Sequence, residues 1–354
     1  MYSEIRAAGP LRSISVDLTH VCNLRCVGCY YFAEEMDRYP SPNDESEFDA
    51  FLERELARGT NFVTVVGGEP SLELERLQKI YQRFWMNVAT NGLRKIPYEG
   101  FENLPIGVAV WGDHATDRQL RGSGKLDVFA RALQNYRDDP RAFWYYTVTP
   151  GRAHEIERVV RRCIENGNYV LFNFYGDLTH VGGELDYRLG FADVRREIDR
   201  MIALYPERIL MTSYFSRVVS TGRLYDERWG YEVCTSISPD HPVNRQRIQN
   251  GKPYNPHFRA YNADFKTTRR CCTGIDRDCD SCYDTWEHFS WVMLNVKKHL
   301  GSKQEFTNWL TTMYLFYVIN RIVDFDRGIA LLPEIHARVG TNDTEPEVRT
   351  VLAA

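Results

Sequence analysis

The sequence predicts an α/β protein in which six parallel strands form a partial (β/α)6 barrel, followed by a smaller cysteine-containing C-terminal extension and terminal helices. Short apolar runs alternate with amphipathic helical runs through the first two-thirds of the chain. Several of the short runs are almost continuously apolar, as is typical of parallel strands that are buried on both faces. The 354 residues suffice for one large α/β domain with an attachment.

The six strands are predicted where β-branched and aromatic residues run up to a glycine, a proline or a polar residue. Six strand–helix units in series require right-handed crossovers, so the sheet is expected to be open or curled into a partial, TIM-like barrel. The predicted strands cover residues 13–20, 62–68, 86–92, 106–112, 142–150 and 169–177.

Amphipathic helices are predicted between the strands. Ser71 is a natural N-cap for the second of them, and Glu73 and Glu75 lie in its first turn, where the helix dipole favours acids. In the third helix, Cys163 lies on the apolar face and is expected to be a core thiol. The helical patterns cover residues 41–56, 71–85, 153–167 and 191–206.

The alternation breaks after about residue 208. A seventh strand candidate at 208–214 leads into an irregular stretch rich in proline, glycine and asparagine at 235–265. A second group of cysteines follows, and then two long helical patterns at 285–300 and 303–323. We therefore divide the chain into a core at 1–215, an extension with closing helices at 216–325, and a polar, loosely held tail at 326–354.

Composition and charge exclude some classes of function. The net charge of −4 creates no field that favours nucleic acid or an anionic membrane. Residues 1–11 lack the apolar core of a signal peptide, and the most apolar late stretch, 309–320, is too short to span a bilayer. We therefore expect a cytoplasmic protein that binds neither nucleic acid nor membrane. Nine cysteines in a reducing compartment favour metal or redox chemistry over disulfides.

Three cysteines follow the first predicted strand directly: Cys22, Cys26 and Cys29. The carboxyl ends of parallel strands are where ligand sites lie in α/β folds. Three thiolates cannot complete a tetrahedral zinc site, but they can hold three irons of a [4Fe–4S] cube and leave the fourth iron open for a ligand. A zinc site completed by a distant residue, or three buried apolar cysteines, are the alternatives.

Three further motifs accompany these cysteines, each at the end of its own predicted strand. Residues 67–70 read Gly-Gly-Glu-Pro after the second strand, residues 89–92 read Ala-Thr-Asn-Gly after the third, and residues 113–129 follow the fourth. Together with the three cysteines they resemble the radical S-adenosylmethionine (radical SAM) superfamily, over roughly residues 13–215. The order of the motifs carries the resemblance more than any one of them.

The resemblance implies that the three cysteines bind a [4Fe–4S] cluster whose open iron chelates the amino and carboxylate groups of S-adenosylmethionine (SAM). It also implies that the Gly-Gly-Glu-Pro segment receives the SAM amino group, because glycines allow close backbone approach and Glu69 accepts hydrogen bonds from an ammonium. At Gly28 many family members carry an aromatic residue, so Tyr30 or Tyr31 would supply the packing. The cofactor-binding residues expected on this basis are Gly28, Tyr30, Gly67, Gly68, Glu69, Pro70, Thr90, Asn91, Thr147 and Asn173.

Polar and aromatic residues at the ends of strands four to six are candidates for contact with SAM or substrate, although each is equally well explained as an ordinary strand-end residue. His20, His114 and His180 are weaker candidates on the same face. The sequence identifies no catalytic residue. The strand-end candidates are Trp111, Asp113, Thr147, Thr149, Asn173, Tyr175 and Asp177.

The second cysteine group contains an adjacent pair, Cys271 and Cys272, and a C-x2-C pair with metal-ligand spacing. With Cys234 upstream and one of the adjacent pair, four ligands are available, which resembles the auxiliary-cluster extensions (SPASM or twitch) of radical SAM enzymes. The full seven-cysteine SPASM set is absent, so one extra [4Fe–4S] cluster fits at most; structural zinc and uncoordinated thiols are the alternatives. The predicted ligands are Cys234, Cys272, Cys279 and Cys282.

The resemblance implies an enzyme of the oxidoreductase or lyase type. Reduction of the cluster by a low-potential donor such as flavodoxin or ferredoxin would cleave SAM, and the 5′-deoxyadenosyl radical would take hydrogen from a substrate. We expect a small polar metabolite, such as a sugar, aminosugar or nucleoside intermediate of natural-product biosynthesis. The outcome would be dehydrogenation, decarboxylation, epimerisation or C–C bond formation. The alternatives are a maturase for a ribosomal peptide or protein side chain, and a zinc-stabilised binding protein without catalysis.

Overall fold

The computed structural model of the chain describes residues 1–176, 190–274 and 279–339. Nine strands lie within these ranges. They are β1 Ser13–Asp17, β2 Phe62–Val66, β3 Trp85–Thr90, β4 Ile106–Val110, β5 Ala142–Val148, β6 Tyr169–Phe174, β7 Arg223–Leu224, β8 Glu227–Arg228 and β9 Ala260–Tyr261.

Fourteen α-helices lie within the same described ranges, with short 3₁₀ turns between some of them. None is long and apolar enough to cross a membrane. The helices are α1 Tyr2–Ala8, α2 Tyr30–Ala33, α3 Glu45–Ala57, α4 Leu74–Tyr81, α5 His114–Leu120, α6 Val128–Asn135, α7 Ala153–Glu165, α8 Ala192–Leu204, α9 Ser213–Thr221, α10 Arg245–Gln249, α11 Thr285–Leu294, α12 Lys303–Ile319, α13 Phe325–Ala330 and α14 Leu332–Arg338.

The main sheet has seven strands in the order β6-β5-β4-β3-β2-β1-β9, and every neighbouring pair is parallel. Strands β1 to β6 lie side by side in chain order, as expected when each strand–helix unit crosses over to the next position. The six predicted strands and the parallel α/β class are confirmed. The sheet has two edges, β6 and β9, in the described part of the chain, so the barrel is partial.

The sequence predicts one strand, at 208–214, that does not form, and it does not predict β7, β8 or β9. The candidate at 208–214 contributes one isolated bridge, between Ile209 and Val170, because the Thr212 side chain accepts a hydrogen bond from the Phe215 amide and starts α9. Conversely, β9 lies within the stretch predicted to be irregular, and Tyr261 pairs with Val16 of β1. Two residues are too few for a periodic signal, so only the register with β1 reveals this strand.

The two closing helices pack against the sheet. The ring of Phe316 on α12 lies 5.8 Å from that of Phe62 on β2, and Asn320 just after α12 accepts a hydrogen bond of 2.6 Å from Asn87 on β3. At the start of α11, the amide of Thr285 donates to the side chain of Asn173 on β6. These contacts tie the C-terminal part of the chain to the barrel core.

The polar tail expected from residue 326 needs correction. Residues up to Arg338 form α13 and α14, and Leu332 and Ile335 are buried in the core. Their apolar residues are few but spaced on one helix face, so a composition-based interpretation overlooks them. Residues 340–354 lie outside the described residues.

Candidate active site

The first cysteine loop leaves the carboxyl end of β1. Cys22, Cys26 and Cys29 are free thiols with partly exposed side chains. The Val27 amide donates to the Leu120 carbonyl at 2.7 Å, which fixes the loop against the end of α5. No three His, Cys, Asp or Glu side chains among the described residues converge as tightly as one metal ion requires. A four-iron cube does not need such convergence, because each thiolate binds a separate iron.

Burial dominates the electrostatics of this loop. It raises the pKa of Cys22 to about 11 and that of Cys26 to about 12, and it also raises the pKa of Cys29. The guanidinium of Arg121 partly offsets the effect at Cys26, and that of Arg25 does so at Cys29. The thiols are therefore protonated at neutral pH, and a bound metal must displace their protons.

The two glycines of the Gly-Gly-Glu-Pro segment allow it to lie directly against the cysteine loop. A Cβ on Gly68 would lie 2.1 Å from the Val21 carbonyl oxygen, and one on Gly67, whose φ is +79°, would collide with Asp17. The amide of Glu69 donates to the same Val21 carbonyl at 2.8 Å. The glycines are thus required by the close approach of two protein loops, before any ligand is considered.

Glu69 has a different environment from the one expected. The sequence predicts that its carboxylate accepts hydrogen bonds from a ligand ammonium. In the structure it is buried and accepts from the Ser71 amide at 3.0 Å, the Thr90 hydroxyl at 2.6 Å and the Asn91 amide at 2.8 Å. Glu69 therefore joins the end of β2 to the end of β3. Pro70 is also buried, in the 3₁₀ turn that follows.

Asn91 continues this network to the cysteine loop. Its side-chain amide donates to Asn23 at 2.6 Å, and its side-chain oxygen accepts from the Leu93 amide at 2.9 Å. The hydrogen-bonding groups of Thr90 and Asn91 are therefore occupied by the protein itself. In this arrangement both residues hold the loops in place, and backbone carbonyls are left to contact a ligand.

Arg121 is a buried residue of this site that the sequence analysis missed. Its guanidinium donates to the Ala109 carbonyl, the Asp117 carboxylate and the Asn91 carbonyl at 2.8, 2.9 and 3.1 Å, and it lies beside Cys26. It therefore connects the ends of β3 and β4 with the cysteine loop. The i,i+4 spacing of Asp117 and Arg121 was the available signal, but such pairs are usually solvated helix contacts.

The backbone just before Cys29 suits the glycine at position 28 better than the aromatic residue that many family members carry there. Gly28 has φ +69°, a left-handed conformation that favours glycine over an aromatic residue. The Tyr31 hydroxyl donates to the Thr19 carbonyl at 3.1 Å. Tyr30 lies deep in the fold, where burial and the nearby charges of Cys272, Asp284 and Cys29 raise its pKa well above the usual value.

Two of the strand-end candidates, Asn173 and Thr147, form hydrogen bonds that stabilise the fold. Asn173 accepts from the Thr285 amide at 3.0 Å and donates to the Thr147 hydroxyl at 3.4 Å, so this pair anchors the start of α11. Thr149 is also buried. Trp111 and Tyr175 meet edge to face, with ring centroids 5.9 Å apart.

The remaining polar candidates are engaged by neighbours. Asp113 caps α5 and forms an ion pair with Arg158. His20 accepts from the Ser41 amide at 3.0 Å, and His114 lies 3.1 Å from an Asp127 oxygen. Asp177 and His180 lie outside the described residues.

The second cysteine group converges on one small pocket of about 20 Å³. Five cysteines from separate segments line it, and Cys234, Cys271 and Cys282 are buried. The sequence prediction that Cys234 joins the later cysteines therefore fits the geometry, and the donor set contains one thiol more than a four-iron cube requires. The five cysteines are Cys234, Cys271, Cys272, Cys279 and Cys282.

The adjacent pair divides between two environments. Burial raises the pKa of Cys279 to about 11, and the nearby Cys271 adds to that rise, as it does at Cys234. A hydrogen bond with Cys272 lowers the pKa of Cys271 to about 5, whereas Cys272 itself faces the charges of Glu287 and Asp284. Both cysteines line the pocket, but Cys271 is buried and Cys272, which the sequence selects as the ligand, is partly exposed.

Asp284 and Glu287 lie at the start of α11, between the two cysteine groups. Asp284 accepts from the Trp286 and Glu287 amides and lies 3.4 Å from the Tyr145 hydroxyl of β5. Burial raises the pKa of Asp284, and burial together with Asp284 raises that of Glu287 to about 8. The sequence analysis missed both residues, which resemble ordinary first-turn acids.

A buried ion pair links the two halves of the site. Arg269 binds Asp17 at the end of β1 and also donates to the Tyr261 and Cys272 carbonyls at 3.2 and 3.3 Å. Burial raises the pKa of Asp17 to about 6 despite the opposing effect of Arg269. The first cysteine loop and the loop that contains Cys272 are therefore held by the same guanidinium.

Comparisons with known proteins give partial matches. No protein-family profile matches the chain. A probable GTP 3′,8-cyclase of Saccharolobus solfataricus is 28% identical over 130 residues, covering 36% of this chain and 37% of that protein. The sporulation killing factor maturation protein SkfB of Bacillus subtilis is 25% identical over 171 residues, covering 45% of this chain and 41% of that protein. The chain thus matches less than half the length of these curated relatives.

A solved structure, that of tagged anSMEcpe with bound AdoMet, shares the fold over a longer range. Its TM-score is 0.50 at 16% sequence identity, and the match covers 92% of this chain and all of that chain. The matched range includes both the parallel sheet and most of the C-terminal region. At this identity the likeness concerns the fold.

Proposed function

We propose that the chain is a member of the radical SAM superfamily, which its partial matches to curated relatives support, and that it reductively cleaves SAM and uses the product to remove hydrogen from a small polar substrate. One observation carries the proposal. Arg269 binds Asp17 at the end of β1, where the first cysteine loop begins, and donates to the Cys272 carbonyl at 3.3 Å. Two cysteine groups that are far apart in sequence are thus linked through one buried guanidinium.

The residues of the first loop fit a [4Fe–4S] cluster and SAM. Cys22, Cys26 and Cys29 offer three thiols, and the backbone of residues 67–70 lies against the same loop. When bound, the cluster and SAM supply a reactive carbon radical that removes hydrogen from unreactive positions. A low-potential donor such as flavodoxin or ferredoxin would provide the electron.

The second pocket fits one auxiliary [4Fe–4S] cluster, for which we propose Cys234, Cys271, Cys279 and Cys282 as ligands. Burial of three of these thiols supports the set. This choice replaces Cys272 of the sequence prediction, because Cys271 is buried in the pocket whereas Cys272 is partly exposed.

The chain's own residues position the reacting groups. Glu69 and Asn91 hold the loops at the ends of β2 and β3 together, and Arg121 fixes them to the first cysteine loop. Tyr145 and Asp284 provide a hydroxyl and a carboxylate with which a substrate is oriented. Because these side chains lie in the interior, they also keep water from the reacting centre.

A small polar metabolite, such as a sugar, aminosugar or nucleoside, is the preferred substrate class. Tyr30, Tyr145 and Asp284 are each only partly exposed, which supports an enclosed substrate, and one partial relative is named for chemistry on GTP. Dehydrogenation, decarboxylation, epimerisation and C–C bond formation all begin with hydrogen removal. The reaction class therefore depends on the substrate and on the second pocket.

A peptide maturase is the second candidate, because another partial relative is named as a maturation protein. Deuterium transfer distinguishes the two: candidate sugars, nucleosides and peptides are supplied in deuterated form, and 5′-deoxyadenosine is analysed by mass spectrometry. Deuterium arriving from a sugar or nucleoside supports the preferred class. Deuterium arriving only from a peptide overturns it in favour of the maturase.

The first experiment measures iron, sulfide and zinc per chain after anaerobic reconstitution, together with dithionite-driven SAM cleavage. We expect about eight irons, four for each cube, with formation of 5′-deoxyadenosine. About four irons with cleavage would keep the radical chemistry and remove the auxiliary cluster. Zinc without cleavage would overturn the proposal in favour of a non-catalytic zinc protein.

A further inference from the structure

Two buried hydrogen-bond donors near the second cysteine pocket lack partners among the described residues. The indole N–H of Trp229, a residue that lines the pocket, is buried without an acceptor. The Nη1 atom of the Arg247 guanidinium is also buried without an acceptor. Buried N–H groups are nearly always hydrogen-bonded. Two donors without an acceptor beside one pocket therefore indicate that an acceptor binds there.

Arg247 is also a buried positive charge without a counter-ion. Its Nε and Nη2 donate only to backbone carbonyls, those of Tyr231, Glu232 and Cys234, at 2.6 to 3.1 Å. No carboxylate of the described residues lies within ion-pair distance of it, because the neighbouring Glu232 is bound to Lys252 at 2.7 Å. A cation that is only 4% exposed needs a nearby anion.

The environment of this pocket is therefore electropositive on the side of Trp229 and Arg247. Arg247 lies against the pocket at Cys234, whose carbonyl accepts from its Nη2 at 2.7 Å. The pocket lining contains one carboxyl group among its residues, Glu287, which lies near Cys272. This arrangement therefore stabilises a bound group that gains negative charge.

We propose that Trp229 and Arg247 raise the midpoint reduction potential of the auxiliary cluster by hydrogen bonding and by charge. The inference rests on the proposed function, which places a cluster in this pocket. A cluster held by four thiolates is anionic, and one-electron reduction adds a further negative charge without breaking a bond. Donors and cations beside its sulfurs therefore favour the reduced form.

A raised reduction potential of the auxiliary cluster would favour dehydrogenation of the substrate over the other possible reactions. In a dehydrogenation the substrate first loses a hydrogen atom to the SAM-derived radical, and then one electron and one proton. The electron would go to the auxiliary cluster held by the second pocket, and the proton would leave to bulk solvent. An acceptor with a raised potential would suit the second of these losses.

The test measures the midpoint potential of the auxiliary cluster by redox titration with electron paramagnetic resonance. The full chain carries alanine at Cys22, Cys26 and Cys29, so that only the second pocket retains iron. Trp229→Phe removes the N–H and keeps the ring that stacks 4.1 Å from His288, and Arg247→Gln removes the charge. We expect both changes to shift the potential to more negative values at unchanged iron content.

Two matched controls remove similar groups outside the pocket. Trp291→Phe deletes a buried indole N–H that donates to Glu227 at 3.3 Å, and Lys252→Gln deletes a surface charge next to Glu232. Neither should shift the potential. Loss of auxiliary iron in Trp229→Phe but not in Trp291→Phe would also support a direct contact.

Unchanged potentials in both Trp229→Phe and Arg247→Gln, with iron retained, would overturn the tuning proposal and leave the proposed function intact. Absence of iron from the unsubstituted second pocket would overturn both, and it is measured before any titration. The iron content thus separates the two failures.

Discussion

The two cysteine sites of this chain are built in opposite ways. The first takes its three thiols from eight consecutive positions, residues 22–29, at the end of one strand. The second takes five thiols from the segments around residues 234, 271 and 279–282 and closes them into a buried pocket. A contiguous motif can be found in the sequence before the fold is known. A pocket assembled from distant segments needs the fold to show which members meet.

The polar surroundings of the two sites differ in the same manner. Around the first loop, Glu69, Asn91 and Arg121 have their hydrogen bonds satisfied by the protein. Beside the second pocket, Trp229 and Arg247 each keep one donor without a partner among the described residues. These three side chains of the first site are therefore held in place by the protein, whereas the two donors beside the second pocket are left for an acceptor.

The largest expected effect comes from breaking the first site alone. Cys26→Ala should abolish SAM cleavage and reduce iron from about eight to about four per chain, because a loop thiol can be removed without disturbing the sheet. Iron analysis and 5′-deoxyadenosine formation measure this. Cys163→Ala is the matched control, because Cys163 is buried on α7 away from both sites. Cleavage at the original rate in Cys26→Ala would remove the first loop from the mechanism.

The second site can be tested through its adjacent pair. Cys271→Ala should lose the auxiliary iron, leaving about four irons per chain, whereas Cys272→Ala should keep about eight. The reason is that Cys271 is buried in the pocket, while Cys272 is partly exposed. Basal SAM cleavage without substrate should survive in both variants. Iron loss in Cys272→Ala alone would restore the sequence-based choice of ligand.

The sequence could predict the parts of the fold that depend on local periodicity. All six long strands and the four helices predicted between them were found, because apolar runs and capping residues are local signals, whereas α5 and α6 were not predicted. Strand β9 was missed because its two residues become a strand only by pairing with β1. Helices α13 and α14 were missed because their burial comes from contacts such as that of Phe325 with Tyr169.

In the candidate site, too, contiguous motifs could be predicted from the sequence, whereas contacts between distant residues could not. The cysteine loop and the Gly-Gly-Glu-Pro segment were recognisable, but the partners of Glu69 were not, since Thr90 and Asn91 reach it from another strand. Arg121 and Arg269 look like ordinary surface arginines in the sequence. Their burial against Asp117 and Asp17 is a consequence of tertiary packing.

The link between the two sites can be broken at Arg269. Arg269→Met leaves the buried Asp17 without its partner and should lower the free energy of unfolding by about 3–5 kcal/mol at pH 8. The loss should be smaller at pH 5. Burial already raises the pKa of Asp17 to about 6, so the folded state binds the extra proton and stability falls as pH rises through that value. Without Arg269 this fall continues to higher pH.

Urea unfolding of the iron-free chain at both pH values measures the difference. Arg162→Met is the matched control, because its ion pair with Glu165 is half exposed at 3.6 Å and contributes little. An equal loss at pH 5 and pH 8 would show that Asp17 does not titrate in the variant, and no loss at either pH would show that the ion pair does not join the sites.

The smallest expected effect sharpens the contrast between a satisfied and an unsatisfied site. Glu69→Gln replaces one carboxylate oxygen with an NH2 group that must face an amide or hydroxyl donor from Ser71, Thr90 or Asn91. The lost hydrogen bond and the new donor–donor contact should reduce the free energy of unfolding by about 1–3 kcal/mol. Because Glu69 acts on the loops, SAM binding should weaken even though its carboxylate is occupied.

Urea unfolding and SAM titration measure both effects. Glu75→Gln, at an exposed position of α4, should change neither, and weakened SAM binding at unchanged stability in Glu69→Gln would instead mean that the carboxylate contacts SAM directly.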